Sequence, residues 1–312
     1  MNDYLSRSDF SADAKDVLVL VNPRAGARPR RPIVEQTVEY LTQMGDYCET
    51  VTDLERLAEM AAGRLRQGSL RAVIAAGGDG TVSTVANRTP QGTPIAVLPL
   101  GTENLLAKYL GLPRDAGRIS QIIHSRHLVE IDAGRANGRL FMLMAGVGFD
   151  ADVVRRVDLA RAGHITHFSY AKPILDSIRS YQYPELRIYS QHTADTDRMD
   201  VLTTARWAFV VNLPRYARGL NMAPQACGSD GLLDVCTFRR GSLMRGLVYL
   251  AALLCGRHQS LEDCVYRQAR RLRIESEAEV PYQLDGDPGG NLPVEIEVVP
   301  RRLTLVVPNH QR

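Results

Sequence analysis

The sequence lacks both the long apolar runs of membrane-spanning proteins and the strong charge excess of nucleic-acid-binding proteins. Its longest apolar run, near Leu247–Cys255, has about half the length that a membrane-spanning helix needs. The formal net charge is only +3 over 312 residues, so we expect no dedicated nucleic-acid-binding surface. Hydrophobic residues make up 45% of the chain and charged residues 23%, which is typical of folded domains with sizeable cores.

Cysteine is also scarce, and its spacing argues against two kinds of site. The five cysteines form no CxxC pair and are odd in number, so we expect neither a disulfide framework nor a zinc site. The first 16 residues are polar and acidic and have no apolar core of a signal peptide. We therefore expect a soluble, cytoplasmic protein without a transmembrane segment, whose contact with a membrane is at most peripheral.

The first 130 residues alternate between strand-like and helix-like stretches. Val17–Val21 and Ala72–Ala76 are apolar runs of the buried-strand type, whereas Ile33–Met44 and Leu54–Leu65 carry apolar residues at helical spacing. A further short helix is expected at Val82–Ala86. This alternation predicts an α/β domain with a doubly wound parallel sheet that helices cover on both faces.

After about Val129 the pattern changes to β-rich runs with few helices between them. The two helical exceptions are Ile165–Ser180 and Ser242–Gly256, and the remaining pattern predicts a mainly antiparallel β-sandwich domain. The predicted domains therefore comprise residues 1–130 and residues 131–301, with the C-terminal segment 302–312 packing back on the first domain.

A glycine-rich segment, Gly77-Gly78-Asp79-Gly80-Thr81, stands between a predicted strand and a predicted helix. Glycines let the backbone approach a phosphate closely, and a helix N-terminus supplies N–H groups and positive potential. Asp79 could hold a metal ion or order the turn, and Gly78 is expected to adopt unusual backbone angles. A turn that binds no ligand is the alternative, but three glycines with Asp and Thr favour phosphate binding. Because no Gly-Lys-Ser/Thr follows, the segment is not a Walker A loop.

Three further loops are predicted at the same edge of the sheet. Pro99–Asn104 ends one strand and opens a helix, Thr52 follows the strand ending at Val51, and Asn22 follows the first strand. The carboxyl ends of parallel strands meet at one edge, where doubly wound sheets bind their ligands. Four such loops together therefore indicate a ligand site.

These and later segments resemble the catalytic domain of diacylglycerol kinases, which sphingosine and ceramide kinases share. The resemblance runs in order from about Val17 to Val307. The segments that carry it are Asn22–Gly26 (NPRAG), Gly77–Thr81 (GGDGT), Pro99–Asn104 (PLGTEN), Gly146–Ala151 (GVGFDA), Ala223–Ala226 (APQA), Asp230–Asp234 (DGLLD) and Leu284–Asp287 (LDGD).

The resemblance implies a nucleotide-binding first domain, a lipid-substrate β-sandwich domain and an active site in the cleft between them. It implies ATP and Mg²⁺ as cofactors. The positions that match nucleotide contacts are Thr52, Gly77, Gly78, Asp79, Gly80, Thr81, Val82, Ser83 and Thr102. Those that match magnesium ligands are the Asp230 side chain and the backbone carbonyls of Cys227 and Leu232, all of them oxygen donors, as Mg²⁺ prefers. The late acidic position falls on Asp287, with Asp285 beside it, as the group that takes the acceptor's proton.

The sequence also departs from the family pattern at three places. Asp287 stands where Glu is usual, Val82-Ser83-Thr84 follows the glycine loop where Asn-Glu is common, and Arg218 replaces a common glycine. None of these changes removes an acid or a phosphate loop. They bear on the rate and on the choice of substrate that the resemblance implies.

The resemblance favours a lipid kinase that moves the γ-phosphate of ATP to a hydroxyl of a lipid such as diacylglycerol or a sphingoid base. NAD kinases and phosphofructokinases also have a GGDG-type loop, so a soluble-metabolite kinase is an alternative. A catalytically silent nucleotide- or lipid-binding module and a pure interaction protein are others. The lipid would be presented at a membrane surface, which the arginine-flanked helices Ile165–Ser180 and Ser242–Gly256 could contact if they do not simply pack on the sandwich. The identity of the lipid and the presence of a homodimer stay open.

Overall fold

The computed structural model describes residues 5–6, 13–21, 31–160, 176–177, 180–191, 199–216 and 220–309. Asn22–Gly26, Arg218 and most of the predicted helix Ile165–Ser180 lie outside these residues. The described helices of five or more residues are α1 Arg31–Gln43, α2 Leu54–Gln67, α3 Asp79–Arg88, α4 Leu105–Tyr109, α5 Ala116–Ser125, α6 Phe149–Leu159 and α7 Leu243–Leu254. The described strands are β1 Leu5–Ser6, β2 Asp16–Val21, β3 Tyr47–Val51, β4 Leu70–Gly77, β5 Pro94–Pro99, β6 Leu128–Ala136, β7 Arg139–Phe141, β8 Met144–Val147, β9 Leu186–Gln191, β10 Asp200–Ala205, β11 Trp207–Val211, β12 Arg215–Tyr216, β13 Leu220–Asn221, β14 Leu233–Phe238, β15 Cys264–Ala269, β16 Arg271–Glu275, β17 Pro281–Leu284, β18 Asp287–Asn291 and β19 Val294–Val306.

The chain divides into two compact units. Unit 1 comprises Met1–Ile131 and Arg301–Arg312, and unit 2 comprises Asp132–Pro300.

Unit 1 contains a parallel sheet of strand order β5-β4-β2-β3, to which Thr304 and Leu305 of β19 add in parallel beside β5. Strand β4 is buried at every position, as expected for an apolar central strand. Helix α2 begins where the Asp53 carboxylate accepts a hydrogen bond from the Arg56 N–H, and it ends at Gly68 in the left-handed conformation. The unit therefore has the α/β architecture predicted from the alternating pattern.

Unit 2 is built from antiparallel strands. One sheet has the order β15-β14-β11-β8-β17-β18, and a second pairs β10, β9, β16 and the first part of β19. Apolar side chains of both sheets pack into one core, represented by Val147, Leu284, Ile188 and Leu272. This arrangement confirms the predicted antiparallel sandwich. Within the described parts of the chain, every helix is too short or too polar to cross a bilayer.

Candidate functional site

In unit 1, the two glycine loops that follow β4 and β5 are joined by main-chain hydrogen bonds. The N–H groups of Leu100 and Gly101 both donate to the Gly77 carbonyl, at 2.9 and 3.2 Å. Because β4 and β5 are parallel neighbours, both loops leave the same edge of the sheet. They form one connected surface, which we call the loop pair (residues 77–81 and 99–104).

The loop pair depends on glycine because its backbone has no room for a Cβ atom at two positions. A Cβ atom built on Gly101 would lie 2.5 Å from the Gly78 Cα, and one on Gly77 would lie 2.1 Å from the Thr81 Oγ1. Gly78 itself has φ −96°, an ordinary extended value. The expectation of unusual backbone angles at Gly78 is therefore wrong, because the contact with Gly101 is what restricts this position.

The Asp79 carboxylate binds the other loop. Its Oδ2 and Oδ1 accept hydrogen bonds from the N–H groups of Leu105 and Leu106 at 2.9 and 3.0 Å, which caps α4. Asn104, at φ +49°, exchanges two hydrogen bonds with Gly101 through its amide. Burial raises the pKa of Asp79, although the two N–H donors oppose the shift. Of the two roles considered for Asp79, the contacts therefore favour ordering of the loops.

In unit 2, the turn Asp285-Gly286-Asp287 presents two acids with different partners. Asp285, at φ +53°, accepts hydrogen bonds from the N–H groups of Met142, Leu143 and Met144 at 2.7–3.0 Å. Its carboxylate thereby fixes the segment that joins β7 to β8. The Asp287 side chain is 50% exposed and has Arg139 Nη2 at 3.4 Å. Asp287 is thus half exposed and lies beside a cation, whereas Asp285 accepts main-chain hydrogen bonds.

Two further polar side chains surround this turn. The Gln283 Oε1 accepts from the Gly286 N–H at 2.7 Å, while its Nε2 donates to the Asp150 Oδ2 at 2.9 Å. A Cβ atom on Gly146 would lie 2.5 Å from that carboxylate oxygen, so glycine is needed where Asp150 and Gln283 meet. The sequence motifs contained Gly146 and Asp150, but no role was predicted for either residue. No sequence pattern pointed to Gln283.

The loop between Ala226 and β14 brings carboxylates together around Asp230. Asp230 is exposed and its Oδ1 accepts from the Leu232 N–H at 3.0 Å, while the buried Asp132 accepts from the Gly231 N–H at 2.8 Å. Partial burial raises the pKa of Asp230, and the neighbouring Asp132 carboxylate raises it further. The Tyr266 hydroxyl and the Gln268 amide donate to Asp234 Oδ1, whereas its buried Oδ2 has no hydrogen-bond partner.

This negatively charged loop fits a divalent cation. The unpartnered, buried Oδ2 belongs to Asp234, whose neighbour is the Asp230 carboxylate. Nearby positive charge stabilises such an arrangement, and oxygen donors suit Mg²⁺. Among the residues that the structure describes, no three His, Cys, Asp or Glu side chains are grouped to hold a metal by themselves. Backbone oxygens would therefore have to contribute.

Two family profiles match the chain. The diacylglycerol kinase catalytic domain matches residues 16–136, and the YegS C-terminal NAD kinase beta sandwich-like domain matches residues 144–307, more than half of the chain. This chain belongs to the diacylglycerol kinase-like lipid kinase family. Membership in this kinase family implies the use of ATP.

Individual members of the lipid kinase family match over nearly the full length. The chain is 25% identical to a diacylglycerol kinase of Bacillus subtilis (strain 168) over 305 residues, which cover 95% of this chain and 98% of the relative. A diacylglycerol kinase of Staphylococcus carnosus (strain TM300) is 22% identical over 299 residues, covering 94% and 95%. A crystal structure of a diacylglycerol kinase from Bacillus anthracis str. Sterne has the same fold, with a TM-score of 0.69, 21% identity, and coverage of 96% and 99%.

The predicted nucleotide-contacting positions of this family member differ in accessibility. Thr52, Gly80 and Thr102 are exposed. They follow strands β3, β4 and β5 of one parallel sheet, in which β4 and β5 are neighbours and β2 separates β3 from β4. Val82 and Ser83 are buried, so their side chains face the interior of the unit. Helix α3 begins at Asp79 and so includes most of the glycine segment, whereas the sequence predicted a helix only from Val82.

Proposed function

We propose that this family member is an ATP- and magnesium-dependent lipid kinase. It transfers the γ-phosphate of ATP to a hydroxyl group of a lipid such as diacylglycerol or a sphingoid base. The observation that carries the proposal is the loop pair, in which two glycine loops and the N-terminus of α3 meet at one sheet edge. The two family profiles and the names of the full-length relatives support the lipid acceptor.

The loop pair holds the nucleotide phosphates in this proposal. Gly78 and Gly101 pack closely against each other. Because neither residue has a side chain, phosphate oxygens can approach the main-chain N–H groups of the loops. Asp79 keeps the two loops in register by capping α4. The exposed side chains of Thr52 and Thr102 are placed to add hydroxyl contacts. Fixed donors of this kind cost no reorganisation when charge develops during phosphoryl transfer.

Mg²⁺ would be held by the Asp230 carboxylate with the carbonyls of Cys227 and Leu232. When bound, the ion neutralises charge on the phosphates and on this acidic loop. Asp132 and Asp234 surround Asp230 and add negative charge without being ligands themselves. The Gly231 N–H bond to Asp132 fixes the loop in which all three donors lie.

Asp287 accepts the proton of the lipid hydroxyl. Its carboxylate is half exposed, whereas the Asp285 carboxylate is engaged by three main-chain N–H groups. The Arg139 Nη2 lies 3.4 Å from the Asp287 carboxylate. Phosphoryl transfer depends mainly on positioning and on neutralisation of charge, so a single base is sufficient.

Transfer of labelled phosphate from ATP to a panel of acceptors tests the proposal. The panel contains diacylglycerol, sphingosine, ceramide, phosphatidylglycerol and, as a soluble acceptor, NAD. We expect magnesium-dependent labelling of at least one lipid and none of NAD. Labelling of NAD alone would identify a soluble-metabolite kinase, and no labelling at all, together with no thermal stabilisation by Mg-ATP, would contradict any kinase function.

A further inference from the structure

Helix α7 of unit 2 has an apolar outer face. Its exposed side chains include Met244, Leu247, Val248, Leu250 and Leu254, with Met244 70% and Leu254 68% exposed. These residues recur at spacings of three and four and so form one stripe along the helix. Surface helices normally direct polar residues outward, and every exposed side chain described in α7 is instead apolar. Exposed apolar patches of this kind mark sites of interaction.

The inner face of α7 is fully used by the fold. Tyr249 is 1% exposed, its ring stacks on Phe238 with centroids 4.3 Å apart, and its hydroxyl donates to the Asp263 Oδ2 at 2.7 Å. Leu253, one turn later, is also buried. The helix therefore carries two apolar faces, of which only the one containing Tyr249 and Leu253 packs on the sandwich.

Positively charged residues flank α7 in the sequence. Residues 235–261 contain four arginines and no Asp or Glu. Arg239, Arg240 and Arg257 are exposed. Of the two acids that follow, Glu262 is exposed, whereas Asp263 is almost entirely buried and lies 3.5 Å from Arg245 and 3.9 Å from Arg240. Three exposed arginines against one exposed acid leave a net positive charge in the segments that flank α7.

We infer that α7 docks on an anionic lipid bilayer and lies in the plane of its interface. Its apolar stripe would enter the region between headgroups and acyl chains, and the arginines would contact lipid phosphates. A helix of 12 residues is about 18 Å long, too short to span a bilayer but suited to lie on one. This inference deepens the proposed function and rests on it, because a lipid kinase must reach a substrate held in a membrane.

Charge also distinguishes the bilayer from a second copy of this chain. A symmetric contact through α7 would place the same arginines of both copies near each other, where they repel. An anionic bilayer complements them, and its attraction decreases as salt screens the charges. The occupant that fits both the apolar and the charged part of this surface is therefore an anionic membrane.

Binding to vesicles tests the inference without any catalytic step. We expect the protein to sediment with vesicles of equal parts phosphatidylglycerol and phosphatidylcholine, and more weakly with phosphatidylcholine alone. The double variant Leu247→Glu/Leu254→Glu should bind the anionic vesicles at least about tenfold more weakly. Arg257→Gln should weaken binding about fivefold. The matched control is Val201→Glu, because Val201 is an apolar side chain of β10 that is 67% exposed, and this variant should bind like wild type.

A second pair of variants reports insertion without disturbing the surface. Tryptophan emission of Leu250→Trp should shift to shorter wavelength with anionic vesicles, whereas Val201→Trp should not shift. Equal behaviour of the two variants, or unchanged vesicle binding by the double variant, would overturn the inference. So would a dimer in solution that the double variant converts to a monomer, since α7 would then contact a second copy.

Activity measurements separate failure of this inference from failure of the proposed function. On a short-chain diacylglycerol dissolved without a bilayer, the double variant should keep the wild-type rate, while on vesicles it should lose at least about tenfold. A double variant that keeps the wild-type rate on vesicles would overturn the docking role. Vesicle binding by a wild-type protein that phosphorylates no lipid would contradict the proposed function and leave the docking surface supported.

Discussion

Asp79 in unit 1 and Asp287 in unit 2 both stand in glycine-containing turns, but their carboxylates have different partners. Asp79 accepts from the N–H groups of Leu105 and Leu106 and joins two loops. Asp287 is half exposed, and Arg139 Nη2 lies 3.4 Å away. A carboxylate whose two oxygens accept main-chain hydrogen bonds orders the polypeptide chain, whereas a half-exposed carboxylate can accept a proton from a substrate.

Asp285 shows that this difference follows from partners rather than from the sequence motif. It lies two residues from Asp287 in the same turn, yet it accepts three main-chain hydrogen bonds and thereby resembles Asp79. The comparison predicts a large effect on stability at Asp285, a smaller effect on stability at Asp79, and a large effect on rate at Asp287.

Replacement of Asp285 should have the largest effect on stability. Asp285→Ala leaves the N–H groups of Met142, Leu143 and Met144 without their acceptor, and each charge-assisted bond contributes about 1.5–3 kcal/mol. We expect the free energy of unfolding to fall by at least about 3 kcal/mol in chemical denaturation. The matched control Asp287→Ala should change it by no more than about 1 kcal/mol. Equal losses in the two variants would remove the distinction between them.

The loop pair should be sensitive to a single added methyl group. In Gly101→Ala the new Cβ would lie 2.5 Å from the Gly78 Cα and 2.6 Å from the Asn104 Oδ1. We expect a loss of about 1–3 kcal/mol in unfolding free energy and weaker stabilisation by Mg-ATP. Gly63→Ala is the control, because Gly63 lies within α2 with no atom within 4 Å of the new Cβ, and it should be stabilising. If Gly101→Ala left the free energy of unfolding unchanged, the loops would not pack as described.

Removal of the Asp79 carboxylate should have a smaller effect. Asp79→Ala removes the cap of α4, which is expected to cost about 1–2 kcal/mol. The cost is limited because burial raises the pKa of Asp79 and so already opposes its ionised form. Asp79→Asn keeps one acceptor oxygen and should lose less. Thermal denaturation of both variants measures the difference, and a larger loss in the Asn variant would contradict the capping role.

The smallest expected effect is a pH dependence at Asp152 of α6. Burial opposes ionisation of this side chain, but hydrogen bonds from Arg156, Ser177 and Arg155 outweigh it and lower the pKa of Asp152. A lowered folded-state pKa gives stability that is present above the unfolded value, about 3.9, and is lost as pH falls through the folded value. Unfolding free energy should therefore fall below about pH 4 more steeply in wild type than in Asp152→Asn. Parallel curves would contradict this.

Local patterns were sufficient to predict the fold class. Alternation of apolar runs and helical spacing indicated the α/β unit, and the β-rich runs indicated the antiparallel sandwich. The predicted start of α3 was wrong: the helix begins at Asp79 rather than at Val82, because the glycine segment itself forms the first helical turn.

The roles of individual acids could not be predicted, because their partners are distant in sequence. Asp285 binds N–H groups more than 140 residues earlier, and Asp79 binds groups 26 and 27 residues later. From the sequence, the glycine at position 78 was attributed to unusual backbone angles. The structure shows instead a contact with Gly101, which exists only because two strands are adjacent in the sheet. Such contacts follow from tertiary structure and leave no local signal.

The assignment of Asp287 as the proton acceptor is tested most directly by the transfer rate of Asp287→Asn. Asparagine has nearly the same shape but cannot take the proton of the lipid hydroxyl. We expect kcat to fall by about 10²–10⁴-fold, with the KM for ATP and the free energy of unfolding nearly unchanged. Asp287→Glu, which keeps a carboxylate, should retain activity. A purified Asp287→Asn protein with the wild-type kcat on its best lipid acceptor would contradict the assignment.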